Sequence, residues 1–306
     1  MRQFLTNGKV RIGLAVFGAF LLIALIGPWL VSSVLGTDPH RIDYDALGAA
    51  PGGEHLLGTT TSGQDVLAQL ITGCRGSVAV GLLSGVLAVG VAALVGVTGG
   101  FIGGRTDQLL TAVTNIIATL PSFPLMLIVA GYMANVGPVA IALLIGLFEW
   151  PVCARYLRAQ TLSLRGRDFV QALRMVGESR WRMVLVEIMP HLTGILSSLF
   201  LRAVVTGVFT EAGLRFLGIG GGDSVTWGTM IAFAQQQEGV VRGMWWWFAP
   251  PGLFIALLGT ATALVNFGLD EIGNPVLRHS SRAAVRRATA HMAARRDRTN
   301  TVEVAS

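Results

Sequence analysis

The chain has 306 residues, of which 52% are hydrophobic and only 13% charged, whereas a soluble domain carries about 25% charged residues. The few charges lie between long uncharged runs, which excludes a soluble all-α protein, because its helices would need polar faces that these runs lack. The net charge of +6 would favour nucleic acid if it formed a block, but it is divided among segments bordering the apolar runs, so no nucleic acid is expected.

Crossing the hydrocarbon core takes about 20 apolar residues in a helix. Six runs qualify: Ile12–Leu35, Ser77–Ile102, Gln108–Ala134, Val136–Val152, Leu192–Phe209 and Trp246–Leu269. The first follows a positively charged start, as in a signal peptide. Its 24 uncharged residues exceed the roughly 7–15 of a signal core, so it reads as a retained span. The predicted fold is an all-α integral membrane protein. Residues 1–76 hold the N-terminal segment, first span and outer loop, 77–278 a five-helix core, and 279–306 a basic tail.

Six spans leave both termini on one side, and basic residues choose that side. The N-terminus, residues 103–107, 153–191 and the chain from Arg278 onward together carry eighteen arginines and lysines, against Arg41, Arg75 and Arg242 opposite. Both termini are therefore predicted to be cytoplasmic. Cys74 and Cys153 fall near opposite faces in this arrangement, too far apart to pair.

In the second span, Gly81 and Gly85 form a small-xxx-small pair that lets helix backbones approach closely. Pro121 and Pro124 predict a kink in the third, where freed carbonyls need neighbours or a water-lined path. The outer segment 36–76 begins with turn-forming pieces, and its end is expected to form a short helix on the membrane surface. Residues 218–244 are polar and glycine-rich and read as a flexible loop. The cluster after Gly218 is no nucleotide fingerprint, because no strand precedes it. The tail from Ser280 is expected to lie loosely against anionic lipid headgroups.

The chemical inventory is short. Lys9 is the only lysine, so no phosphate-binding loop of the G-x-x-x-x-G-K-[ST] type exists and the chain is not itself a P-loop ATPase. No H-E-x-x-H, paired His/Cys spacing or G-x-S-x-G occurs, so neither a metal site nor a catalytic residue is expected. Polar groups within the spans are isolated: Asn115, Glu149, Arg202 and Asn266. Arg202 either faces a hydrated cavity and contacts substrate, pairs with a carboxylate, or snorkels to the surface. Glu211 and Arg215, one helical turn apart, are expected to form an ordinary surface pair. Asn115, Pro121, Arg202 and Glu211 are the candidates for lining a translocation path.

Asp168–His191, DFVQALRMVGESRWRMVLVEIMPH, is the one polar connection with helical periodicity. A helix begins near Asp168, whose carboxylate suits the first turn. Phe169, Val170, Leu173 and Val176 follow helical spacing, and Gly177 stops the helix. A second helix from about Ser179 is predicted to carry Trp181, Val184, Leu185 and Ile188 on one side and to end at Pro190. Composition alone fits a basic interfacial hairpin equally well.

The pattern D-F-V-Q-A-L-x-x-x-G-x-S followed by I-M-P-H resembles the "EAA" loop, here residues 153–191, of permease subunits of bacterial ATP-binding-cassette importers. Three more stretches narrow the resemblance to the dipeptide/oligopeptide/nickel branch. HLLGTTTSGQDVLAQLITGCRGSV is similar to that branch's outer-loop motif, with Thr60 and Gln64 departing from Asp and Arg. TEAGLRFLGIGGGDSVTWGTMI is similar to its E-A-x-L-S-F-L-G stretch, with Arg215 where serine is usual. Asn266-Phe-Gly-Leu-Asp-Glu matches loosely the end of the last span.

The resemblance implies a type I importer permease fold whose coupling helix seats in a groove on an ATPase. Asp168, Phe169, Val170, Gln171, Ala172, Leu173 and Gly177 would do the coupling. Gln171 stands for the usual glutamate and Leu173 for the second alanine. The implied partners are a homologous second permease, two cytoplasmic ATPases that hold ATP and Mg, an extracytoplasmic solute-binding protein, and lipid. No cofactor is expected in this chain. Peptides are the expected cargo, with nickel, glutathione or haem as alternatives. A structural or sensor membrane subunit using the same hairpin is the competing class.

Overall fold

The computed structural model describes residues 8–34, 36–133, 137–220 and 224–273, with backbone alone for 269–273. The predicted basic tail, the chain start around Arg2 and the Gly221–Asp223 part of the glycine cluster lie outside the described residues. All the regular structure described is helical, with two isolated β-bridges in the outer loop.

Helix α1, Gly8–Ser33, is apolar on all sides and exposes Leu22, Leu25, Ile26 and Trp29, as a span bathed in lipid does. Helix α2 runs without a break over Val66–Ile102, 37 residues or about 55 Å. It starts eleven residues before the predicted span, and residues 66–76 are its first three turns, not a separate surface helix. Asp65 caps it, accepting a hydrogen bond from Ala68 N at 2.8 Å. Polar Gln69 and Arg75 hid this extension from a hydropathy reading, yet Val66, Leu70 and Cys74 are buried on one face. A π turn at Ala93–Val97 widens α2 near its other end.

The third span is a broken pair, α3 (Gly104–Thr119) and α4 (Ser122–Tyr132), bent by 79°. Leu120, immediately before Pro121, takes an extended ψ of 139°, because the proline ring clashes with a helical conformation in its predecessor. Pro124 sits in the first turn of α4, where its missing N–H costs little. The expected kink is thus a full break.

Helix α5, Pro138–Arg165, starts on a proline at its N-terminus, where the fixed φ is favourable. It continues well past the predicted end at Val152, so the first part of the predicted 153–191 connection is helix. The short helix α6 is Asp168–Met175. Helix α7, Arg180–Phe216, spans 37 residues and does not end at Pro190. A π turn at Met183–Ile188 absorbs the proline, whose ring would clash with a carbonyl one turn earlier in a regular α-helix. The wider turn also shifts the expected face: Val184 and Ile188 are buried, Trp181 and Leu185 exposed.

Residues 218–244 are not simply a loop. They contain α8, Trp227–Gln236, opened by a capping box between Thr226 and Thr229. Helix α9, Trp245–Gly273, is the last span.

Helix α2 is the centre of the bundle, packed against α5, α7 and α1, while α1 also packs on α9. The glycine pair in α2 does what its spacing predicts. A Cβ at Gly81 would lie 2.8 Å from the Val204 carbonyl oxygen of α7, and one at Gly85 would lie 3.1 Å from Val204 Cγ2.

Candidate coupling site and outer cap

Helix α6 lies between the ends of two spans and is anchored on one face only. Val170 is buried and belongs to a cluster with Leu157, Leu164, Ile188 and Leu192, against which Phe169 and Leu173 pack. The Phe169 ring stacks on His191 of α7, with centroids 5.4 Å apart. Arg174 holds its guanidinium 5.3 Å from the Phe101 ring centroid at the end of α2, a cation–π contact. The remaining face is free. Asp168, Gln171 and Ala172 are exposed, and Gln171 Nε2 reaches back to donate to Gly166 O at 3.3 Å.

Gly177 ends α6 in a Schellman turn. Its φ is +80°, the Glu178 amide donates to Leu173 O at 3.1 Å and the Gly177 amide donates to Arg174 O at 3.1 Å. A side chain in this left-handed conformation costs roughly 1–2 kcal/mol. Ser179 then caps α7 by accepting from Arg182 N. The turn presents Met175 and Val176, 83% and 86% exposed, beside the exposed Trp181. Val176 therefore departs from its expected inward face and forms an apolar knob.

The path candidates are dispersed. Asn115 is exposed on α3 and lines a cavity of about 270 Å³ with Thr111, Thr114, Arg155 and Arg158, beside the π turn of α2. Arg158 grips Asp107 with two hydrogen bonds of 2.6 and 2.8 Å, tying α5 to α3. Pro121 is exposed at the 79° break. Arg202 is exposed on α7, close enough to Glu149 and Cys153 on α5 for its charge to act on both.

Glu211 and Arg215 are no surface pair. Their side chains are 0% and 2% exposed, with Arg215 Nε 3.2 Å from Glu211 Oε1. Thr226 Oγ1 donates to the same Oε1 at 2.7 Å, and Arg215 Nη2 reaches Ser224 Oγ at 3.4 Å. Among the described residues, Glu211 Oε2 and Arg215 Nη1 have no hydrogen-bond partner. The network pins the segment leading into α8 onto the end of α7. Next to it Trp227, 0% exposed, meets Phe20 and Phe254 edge-on. Its amide donates to Ser77 Oγ and its Nε1 to Leu70 O.

Sequence reasoning also missed how the outer segments interlock. His55 stands between two carboxylates, Nδ1 2.8 Å from Asp65 Oδ2 and Nε2 3.4 Å from Asp43 Oδ2. The hydrogen bond to Asp65 holds its pKa above the ordinary value, against a smaller opposing effect of burial. Asp43 is held below its ordinary value, first by the Asp45 amide. Trp246 Nε1 donates to Thr59 O at 3.2 Å, and the Thr61 and Ser62 hydroxyls donate to Gln237. Residues 43–65 and 237–246 thus form one cap. Among the described residues, no group of three or more His, Cys, Asp or Glu is placed to hold a metal ion.

Residues 88–272 match the family described as the inner membrane component of binding-protein-dependent transport systems. The chain belongs to this family. It is similar to the oligopeptide transport system permease protein OppC of Mycobacterium tuberculosis, 32% identical over 288 residues, 94% of this chain and 96% of the relative. A putative peptide transport system permease protein of Brucella abortus is 30% identical over 280 residues, 90% of this chain and 91% of the relative. The OppC protein of Haemophilus influenzae is 28% identical over 278 residues, 90% of this chain and 86% of the relative. As a binding-protein-dependent permease the chain is a multi-pass membrane protein, with five helices of spanning length among the described residues, or six counting the broken pair α3–α4. The long run Arg180–Phe216 joins the turn after α6 to the Glu211–Arg215 network.

Proposed function

We propose that this chain is one permease subunit of an ATP-driven peptide importer, lining half of the path and carrying no catalytic site. A homologous second permease completes the path, two cytoplasmic ATPases holding ATP and Mg bind beneath, and an extracytoplasmic binding protein delivers cargo above. Both termini and α6 face the cytoplasm. The observation that carries the reading is α6 itself: a short helix outside the spans, fixed to the bundle through Val170 and Phe169, with an exposed face ending in Met175 and Val176. A partner groove would cover that apolar knob.

ATP binding draws the ATPases together and moves α6 with them. Because α6 is stacked on α7 through His191, the motion tilts the spans as rigid bodies and alternates access. Asp168, Gln171 and Ala172 belong to this contact, Leu173 joins Phe169 and Val170 in anchoring the helix to the bundle, and Gly177 sets its exit angle. Peptide cargo is supported by the names of the relatives, and residues 36–76 and 218–244 are the landing surface for the binding protein. In the reconstituted complex, Ala172→Pro and Gly177→Trp should insert and assemble yet hydrolyse ATP without transport. Normal substrate-stimulated hydrolysis with transport in both would sink the coupling assignment. The cargo is tested by capturing what the cognate binding protein carries. Nickel, glutathione or haem in place of peptide would change the substrate and leave the coupling intact.

A further inference from the structure

We propose that a cavity behind α6 binds the phosphodiester of an anionic lipid headgroup from the cytoplasmic leaflet. The cavity is about 320 Å³ and is lined by Phe101, Ile102 and Met183 together with Arg165, Arg174 and Arg180. The proposal rests on the cytoplasmic placement of α6 given above.

The lining sits where α2 and α5 end, at Ile102 and Arg165, and where α7 begins at Arg180. Just past Arg180, α7 exposes Trp181, Leu185 and Val186, apolar and aromatic side chains of the kind that meet the membrane interface. Its floor is apolar, with Phe101 and Met183 buried, and its rim is cationic. Glu178 also lines it, but that carboxylate is engaged by Arg182 and by the Ser179 amide. Asp107 is near enough to feel Arg165, yet both its oxygens are taken by Arg158. Among the described residues no ion pair joins Arg165, Arg174 or Arg180 to a carboxylate.

Two of the three guanidiniums are held in place by neutral groups. Arg174 lies over Phe101, and Arg165 Nη1 donates to Gly100 O at the end of α2. Planar guanidiniums match phosphate oxygens in pairs, and an apolar floor suits the glycerol and first methylenes of a lipid. The free face of α6 bears Gln171 and Ala172, whereas Arg174 turns toward α2. Lipid and ATPase would therefore occupy different sides of the helix, and the lipid would steady the end of α2 against α6.

The test uses the full chain in nanodiscs of phosphatidylcholine with a minority of phosphatidylglycerol, with retained lipids counted by native mass spectrometry. The wild type should retain phosphatidylglycerol selectively. R174Q/R180Q should weaken retention about 25-fold, each basic residue near an anionic surface counting for roughly fivefold. R41Q/R242Q, which removes the same charge from exposed positions outside the cavity, should leave retention unchanged. R180Q alone removes a side chain that has no hydrogen-bond or ion-pair partner among the described residues, and should still weaken retention about fivefold if the paired variant fails to fold.

Equal loss in R41Q/R242Q, or no loss in R180Q, would overturn the site. Saturation by inorganic phosphate in pure phosphatidylcholine would assign the cavity to a free anion instead. Displacement of the lipid by added ATPase subunits would make it part of that interface. Orientation is tested separately by labelling Glu178→Cys with an impermeant maleimide. Labelling from the outer side alone would sink the coupling reading, whereas lost selectivity with inner-side labelling would sink only the lipid site.

Discussion

Replacing Arg215 by leucine should be among the most damaging single changes available in the outer half of the bundle. Glu211, 0% exposed, would keep only the Thr226 hydroxyl. At the observed separation of 3.2 Å, the attraction lost is about 5 kcal/mol for an effective dielectric near 20. Breaking one side of a buried pair costs about 3–5 kcal/mol in practice. Removing both partners is different in kind. Glu211→Leu with Arg215→Leu loses the attraction but also the desolvation penalty on both charges, and such exchanges are often neutral or stabilising. Only the Thr226 and Ser224 hydroxyls lose partners, at about 1 kcal/mol each. The single variant should therefore be less stable than the double. Thermal unfolding of the purified chain in one detergent reads this directly. With about 2 °C per kcal/mol for a chain of this size, R215L should melt about 6–10 °C below the wild type and E211L/R215L within about 4 °C of it. A double variant no more stable than R215L would refute the argument, because the cost would then lie in packing and not in an uncompensated charge.

Three further outcomes follow from other parts of the molecule. Trp227→Ala opens a cavity among Phe20, Phe254 and α2 and should destabilise by about 3–5 kcal/mol, whereas Trp227→Phe should cost less; equal losses in thermal unfolding would contradict the packing role. Gly81→Leu forces a side chain against the Val204 carbonyl and should cost at least the ~1–3 kcal/mol of ordinary overpacking; unchanged melting would mean that α2 and α7 separate without penalty. His55, raised by its contacts with Asp65 and Asp43, should tighten the outer cap fully below its unfolded pKa of about 6.5 and lose that contribution as pH rises through the higher folded value. Asp43, held low, contributes above its unfolded value and loses that contribution only as pH falls through its folded one. Amide exchange in residues 43–65, corrected for intrinsic rates, should be slower near pH 6 than near pH 9 in the wild type, with the difference reduced in His55→Gln. Identical pH profiles in the two proteins would dispose of the clamp.

What could be read from the sequence was what depends on near neighbours. The run from Phe169 to Gly177 carries its own helix period and its own stop signal, and the structure gives that helix with a Schellman turn at Gly177. The glycine pair at 81 and 85 and the proline break at 121 are local in the same sense. What could not be read depends on distant partners. The spacing of Glu211 and Arg215 predicts that they meet, but not in what medium. Their burial is decided by Thr226 and Ser224, on the segment entering α8. Likewise Gln69 and Arg75 break the apolar run of α2. Helix continues there because Asp65 caps it and Trp227 covers Leu70. Pro190 marked an end by every local rule, and only the π turn before it shows how the helix passes through.

That last departure bears most directly on the proposed mechanism. A helix ending at Pro190 would leave the coupling region joined to the membrane by a flexible hinge. The observed α7 is instead continuous over Arg180–Phe216, a rod of about 55 Å. It begins beside α6, stacks His191 on Phe169 near that end, and finishes in the Glu211–Arg215 network beneath α8. In that mechanism a displacement of α6 would reach α8 through one covalent, hydrogen-bonded element, because the buried pair joins α8 to the far end of α7. The proposed mechanism therefore moves the exposed knob at Met175 and Val176 and the contacts around Thr226 as one body. This is why damage to the pair should appear in coupling as well as in stability.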